Sequence, residues 1–389
     1  MADPNPHKLK LAHFLVMFIH LCAALPFIYL SILLLIHAET TGGLLVGAGT
    51  LLLIIFTFSM WLPVLFRFNK KTMIPDSILL FSGIACFTAS YFMSPTGSST
   101  NTGFSQKFHG QTHFSRAGIT NIVPEIDQLK LGTYVFRYLP VGIDEKQMNR
   151  LRTLVLDVYH ELIKEENFKN AGSALGMCYE DIFLGKRSTL HFYEYVPRQL
   201  KKDKYPVMIF LHGSLGNFIG YTWVLKKVAD TAGVAIVSPT YGCGNWYLDP
   251  ECMTIGETFE YCRANKEFDM ENAYLACLSN GGTGLTREIM LHGGKYKGFI
   301  IVSAVLEENI YNSSEFLSNI KSKPVLILQG EKDDRIPLDN IREFESVISE
   351  SLVTSRYFPE EDHFLMFSKR NEMAEIISKW FGNISEKKQ

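Results

Sequence analysis

The chain has 389 residues, 47% of them hydrophobic and 20% charged, with a formal net charge of −2. That composition excludes a disordered or fibrous chain, and the length implies two domains or one large domain with an appendage. Balanced charge leaves no basic excess for a phosphate backbone, so no nucleic acid is expected as a partner, and seven cysteines are too few for a disulfide scaffold.

The apolar content is uneven. Residues 11–36 contain no Asp, Glu, Lys or Arg. A bilayer core of ~30 Å takes ~20 helical residues, so this run is long enough to span with some tilt. It is too long for the ~7–15-residue apolar stretch of a signal peptide. Two more apolar runs follow. The reading is a membrane anchor over residues 1–93 with three transmembrane helices, about 11–36, 43–66 and 77–93. Lys8 and Lys10 precede the first run, and Arg67, Lys70 and Lys71 separate the second from the third. The turn 37–42 has no Lys or Arg, and residues 94–113 have only Lys107. The positive-inside rule then puts the N-terminus in the cytoplasm and the long C-terminal part outside it, in a periplasm, a lumen or the cell exterior. If the third run does not span, the orientation reverses. Gly43 and Gly47 have the spacing for close helix approach, within the anchor or between two copies.

Residues 94–106 are rich in Ser, Thr, Gly and Asn, which reads as a linker, taken here over 94–125. A globular domain is expected over 126–389. Its first part, 126–168, holds a strand-like stretch at 132–138 and an amphipathic helix over 146–165, which packs on the sheet or covers the site. An antiparallel edge strand is expected at 190–196 (LHFYEYV). After it come short apolar runs at 207–212 (VMIFLH), 234–238 (VAIVS), 273–278 (AYLACL), 298–302 (GFIIV) and 325–328 (VLIL). Each is apolar on both faces, as a strand inside a parallel sheet reads. Helical stretches at 223–232, 254–265, 283–292, 339–351 and 371–381 alternate with them. The fold class is α/β, a mostly parallel sheet with helices on both faces. In such sheets the functional groups gather at the carboxyl ends of the strands.

AYLACL runs directly into Ser279-Asn280-Gly281-Gly282. A serine on a sharp strand-to-helix turn needs small residues two positions to either side, in the form G-x-S-x-G. Gly281 supplies one side; Cys277 stands where the other glycine is usual. The alternative is a serine that caps a helix. VLIL leads into Gln329-Gly330-Glu331-Lys332-Asp333-Asp334, an acidic loop after a late strand. The last histidine, His363, follows at Glu361-Asp362-His363-Phe364. The chain order Ser279, Asp333, His363 suits a nucleophile, an orienting acid and a base, with Asp334 as the second choice of acid. Upstream, His212-Gly213-Ser214-Leu215-Gly216-Asn217 is a glycine-rich turn after a strand. Its backbone amides can receive a developing oxyanion, or the turn is only tight. His212 itself is read as a brace.

On FLHGSLGN, LACLSNGG, LILQGEKDDRIP and EDHF, the chain resembles the α/β-hydrolase superfamily from about residue 190 onward. The look is that of dienelactone-hydrolase-like and prolyl-oligopeptidase-like enzymes. The resemblance implies Ser279 as nucleophile, His363 as base and then acid, Asp333 as the orienting acid, and the amides of Ser214 and Asn280 as the oxyanion hole. No cofactor is required by this chemistry. The expected activity is hydrolysis of carboxylic esters, lipid-derived ones included, through an acyl-enzyme. The expected partners are therefore a small-molecule ester or lipid substrate and the membrane itself. A peptidase of the same fold and a non-catalytic scaffold are the alternatives, and Cys277 is the feature that favours the scaffold. Residues 305–324 are too few for a lid domain. The aromatics of YGCGNWY at 241–247 line a pocket or pack. Of the five cysteines beyond the anchor, Cys243 is matched with Cys252 or Cys262 if a disulfide forms.

Overall fold

The computed structural model describes residues 6–61, 76–96, 103–108, 118–136, 144–348 and 352–386. Contacts divide the chain into two compact units, 1–95 with 116–152, and 96–115 with 153–389.

The first unit is built on three helices: α1 (Pro6–His37), α2 (Thr41–Ser59) and α3 (Asp76–Met93). Each has a stretch long and apolar enough to cross a membrane. Many of their large side chains face outward, Phe81 at 68% exposure among them, while Leu34, Val46 and Leu79 are buried, as suits a helix cluster with a lipid-facing surface. The second expected run, 43–66, ends as a helix at Ser59, and 62–75 lie outside the described residues. The small residues of α2 are used up within the unit. A Cβ on Gly47 would sit 2.8 Å from Leu34 Cβ of α1, and one on Gly49 would sit 3.0 Å from Cys86 Cβ of α3. A Cβ on Gly43 would sit 2.3 Å from Asp127 Oδ2.

That aspartate lies on α4 (Glu125–Val135), which begins where the expected linker ends and overlaps the strand expected at 132–138. Pro124 stands at its N-cap, with Glu125 and Asp127 in the first turn. Proline before a helix and acids at its positive end are start signals that outweigh the β-branched residues further on. Asp127 accepts the Glu39 N–H at 2.6 Å and the Thr40 hydroxyl, while Thr40 Oγ1 accepts the Gly43 N–H at 3.0 Å. The two residues together cap the start of α2. Burial pushes the Asp127 carboxyl above its ordinary range, against the pull of these hydrogen bonds. Residues 126–152, expected with the sheet, thus group with the apolar helices. The division falls inside α5 (Glu145–Leu162), after Arg152.

The second unit holds one eight-stranded sheet in the order β1-β2-β4-β3-β5-β6-β7-β8. The strands are β1 (Phe104–Phe108), β2 (His191–Tyr195), β3 (Tyr205–Leu211), β4 (Ala235–Pro239), β5 (Phe268–Leu278), β6 (Gly298–Val302), β7 (Pro324–Gly330) and β8 (Leu352–Phe358). Only β2 runs against the others. β1 falls in the expected linker; its Phe104 is fully buried and stacks on Phe168 with ring centroids 4.2 Å apart. One aromatic anchor and an antiparallel partner hold this polar segment as a strand. The inner strands have the predicted positions. Their side chains form a continuous core that includes Leu211, Cys277, Ile301 and Ile327.

The longer helices that lie wholly in this unit are α6 (Leu175–Leu184), α7 (Ile219–Ala232), α8 (Met253–Ala264), α9 (Gly281–His292), α10 (Leu338–Val347) and α11 (Arg370–Glu386). Within this unit the later part of α5 lies on α7 and α11: Gly220 N–H donates to Tyr159 Oη at 3.3 Å, and Arg370 pairs with Asp157 and Glu161. The strand order turns back at β3, which pairs with β4 on one side and β5 on the other. The loops leaving β3 and β5 therefore meet at the reversal point, where such sheets form their crevice.

Candidate active site

Ser279 follows the last residue of β5 and precedes α9. Its φ is +51°, a left-handed value that serine adopts only where neighbours hold it. Here its N–H donates to Val302 O at 3.2 Å, and its carbonyl accepts the N–H groups of Gly282 and Val305, both at 2.9 Å. Gly281 is required: a Cβ there would lie 2.3 Å from Leu211 O. Cys277, the departure from the usual pattern, is fully buried and pairs with Leu211 and Ile301 on the flanking strands. Burial pushes its thiol well up, so it stays protonated and apolar in character.

Ser279 Oγ and His363 Nε2 are 2.9 Å apart, and His363 Nδ1 and Asp333 Oδ2 are 2.9 Å apart. A carboxylate only accepts, so Nδ1 carries the proton and Nε2 is free to receive one from the serine. Asp333 is fully buried at its side chain, and the His363 ring is 11% exposed. The other carboxylate oxygen of Asp333 accepts the N–H groups of Arg335 and Ile336 at 3.0 and 2.9 Å. Asp334 is exposed, and Asp333 is the acid that reaches the imidazole.

Two loops from different strands have to hold this pair in place, and they are stitched together by backbone. Glu331 N–H donates to Phe358 O at 3.0 Å, and Lys332 N–H to Glu361 O at 2.9 Å. Gly330 permits the approach, because a Cβ would sit 2.4 Å from Glu361 O. Gln329, not singled out in the sequence, is wholly buried and donates from Nε2 to Asp333 Oδ2 at 3.2 Å and to Ile336 O at 2.9 Å. Its only signal was position, the last polar residue before the acidic loop.

The glycine-rich turn after β3 lies against the serine: a Cβ on Gly213 would come within 3.1 Å of Ser279 Cβ. Asn280 Nδ2 donates to Ser214 Oγ at 2.7 Å, which fixes the two residues proposed to supply oxyanion amides side by side. His212 braces the turn. It is fully buried, its Nδ1–H donates to Gly213 O at 2.7 Å, and its Nε2 accepts the Tyr241 N–H at 3.0 Å. Burial lowers its pKa to about 4, so the ring is neutral and serves as a fixed link. Asn217 does the same on the far side, donating to Ser238 O at 2.8 Å.

Of the aromatics at 241–247, Tyr241 and Trp246 pack into the core, with ring centroids 5.2 Å apart, while Tyr247 is exposed. Arg287 of α9 holds the rim together: it forms a two-point pair with Glu307 and donates to Tyr247 O at 2.7 Å. Residues 305–324 form two short helices, Glu308–Tyr311 and Ser314–Ile320. Cys252 and Cys262 lie in the sheet core; the thiol beside Cys243 is that of Cys178 on α6.

No family model and no curated protein matches the chain. Solved structures do. Est1E from Butyrivibrio proteoclasticus is 15% identical, with a TM-score of 0.40 over 50% of this chain and 95% of that one. An esterase from the archaeon Pyrobaculum calidifontis is 13% identical, with a TM-score of 0.39 over 50% and 81%. S-formylglutathione hydrolase from Staphylococcus aureus is 16% identical, with a TM-score of 0.39 over 50% and 89%. The strand order reversing at β3, the single antiparallel strand and the strand-to-helix turn after β5 give the chain the α/β-hydrolase fold.

Proposed function

We propose that the protein is a membrane-anchored serine hydrolase that cleaves carboxylic esters, lipid-derived esters among them, through an acyl-enzyme. The observation that carries this reading is the unbroken hydrogen-bonded chain from Ser279 through His363 to Asp333, with the serine held at positive φ on its turn. In this reading His363 Nε2 takes the Ser279 proton as Oγ attacks the ester carbonyl. Asp333 keeps the tautomer and stabilises the imidazolium. The amides of Ser214 and Asn280 receive the oxyanion, a contact worth roughly 10²–10³ in rate. His363 then protonates the leaving alkoxide, and a water deprotonated by the same ring releases the acid.

The three apolar helices support action close to a bilayer. The short segment 305–324 supports an open site, in which a long acyl chain can enter without the movement of a lid domain. On the distribution of Lys and Arg, we place the N-terminus in the cytoplasm and the hydrolase domain outside it. The scaffold alternative rested on Cys277, which is buried in the core and leaves the turn intact.

The test uses the full chain in detergent micelles. A fluorophosphonate probe is expected to label wild type and not Ser279→Ala, with both proteins folded by circular dichroism. Absence of labelling in folded wild type rejects the enzyme. A panel of acyl esters of increasing length, run beside aminoacyl amides, then decides between esterase and peptidase.

A further inference from the structure

Helix α6 docks on the loop after β4 by its side chains. Asp181 Oδ2 accepts the Cys243 N–H at 3.0 Å, while Asp181 Oδ1 pairs with Arg187 at 2.8 Å. Gly242, at φ +40°, has no Cβ because one would lie 2.4 Å from the same carboxylate. One turn earlier, Cys178 sits over the glycine-rich turn, its Cβ 3.2 Å from where a Gly216 Cβ would be. Asp181, one turn further along α6, takes the Cys243 N–H, so the Cys178 thiol is brought next to that of Cys243. The Cys243 carbonyl in turn accepts the Leu215 N–H at 2.9 Å. The two thiols therefore lie between α6 and the loop that buttresses Ser214. Both are free cysteines, Cys178 buried and Cys243 partly open to solvent.

We propose that Cys178 and Cys243 are an oxidation site, closing to a disulfide that ties α6 to the loop behind the oxyanion turn. The consequence for catalysis rests on the hydrolase reading above; the disulfide itself does not. The co-reactant is a disulfide donor, either a small-molecule disulfide or an oxidised dithiol protein. Cys243 attacks one donor sulfur as thiolate, the donor S–S bond breaks, and one donor thiolate leaves. Cys178 then attacks Cys243 Sγ and expels the second. Two electrons pass to the donor, and the protons of the two cysteines end on its two thiols. The order follows from access and acidity. Cys243 is the more open partner, its thiol lowered mainly by the neighbouring Cys178 against burial and Asp181. Cys178 is raised by that neighbour and by burial. Cys252, Cys262 and Cys277 lie in the sheet core, out of reach of a donor.

The full chain in detergent is treated with oxidised glutathione, then alkylated and mapped by non-reducing peptide mass spectrometry. The expected result is one cross-linked pair containing residues 178 and 243, with the loss of two hydrogens. The thermal midpoint should rise by about 5–10 °C, reversed by dithiothreitol. Cys178→Ser and Cys243→Ala should both lose the cross-link, whereas Cys252→Ala should keep it. Two alkylatable thiols remaining in folded, oxidised protein, glutathione carried on Cys243 without cross-link, or a bond to Cys252 or Cys262 each overturn the proposal. Cross-linking without fluorophosphonate labelling would count against the hydrolase reading alone.

Discussion

Gln329 donates a hydrogen bond to the same carboxylate oxygen of Asp333 that faces His363, at 3.2 Å against 2.9 Å for the imidazole. In the proposed mechanism it is therefore a positioning residue: it acts on the acid, at Asp333 Oδ2, and has no hydrogen bond to the serine. Replacing it by Met keeps the volume and removes the donor. The Asp333 oxygen then has one partner fewer, and the loop loses its tie to Ile336 O. A single such bond to a charged group is worth about 1.5 kcal/mol, so kcat should fall about tenfold with KM unchanged. Steady-state kinetics on a soluble ester and the pH profile of kcat check this. A rise in KM alone, or no change, removes the role.

Asp333 and Asp334 are adjacent in sequence and opposite in circumstance, one buried against the imidazole and one exposed. Asp333→Asn leaves the size unchanged but cannot accept from Nδ1–H while also keeping the amide satisfied. The histidine is then pushed to the wrong tautomer. A loss of about 10⁴ in kcat is expected, with the fold retained. Asp334→Asn should stay within about twofold. Equal losses in the two variants would mean that the acid has been misassigned.

Much of this architecture could be read from the chain because burial on both faces leaves a plain mark. AYLACL, GFIIV and VLIL are uninterrupted apolar runs, and all three are inner strands. The loops that matter leave their carboxyl ends, so motif and strand point to the same places. Legibility failed where one side chain decides the structure. Phe104 makes a strand of a segment whose composition is that of a linker. Asp127 draws α4 to the start of α2 by capping it across more than eighty residues, a long-range contact with no local pattern. Cys178 beside Cys243 is the same kind of event, since pairing depends on how α6 docks. Gly43 and Gly47 were legible as sites of close approach, and Gly47 does admit a neighbouring helix of the same unit; that Gly43 admits a carboxylate was not.

Cys277 stands two residues before Ser279 in the position usually given to glycine, and its side chain belongs to the core. Restoring the usual residue should therefore cost stability and leave the chemistry alone. Cys277→Gly loses a buried side chain worth about 1 kcal/mol and adds about 1 kcal/mol of backbone freedom within β5. Chemical denaturation should report about 2 kcal/mol lost. The rate of fluorophosphonate labelling at Ser279 should be unchanged in the folded variant. A large gain in labelling would show that the cysteine strains the turn.

His212 makes the fold sensitive to acid. Its Nδ1–H donates to Gly213 O and its Nε2 accepts from Tyr241 N–H. Protonation would set an Nε2–H against that N–H and place a charge in a fully buried site. With a folded pKa of about 4 against an unfolded value near 6.5, the unfolded chain binds the proton first as pH falls. The stability from the neutral ring is complete above about pH 6.5 and is lost progressively down to about pH 4. The loss is up to about 3 kcal/mol. His212→Gln cannot titrate, so the difference between wild-type and variant thermal midpoints should shrink from pH 7 to pH 5. Parallel curves over that range would mean that the ring is not held neutral. Above about pH 4 the folded protein keeps the neutral ring that holds Gly213, so the stability lost in this window comes from the unfolded chain taking up the proton.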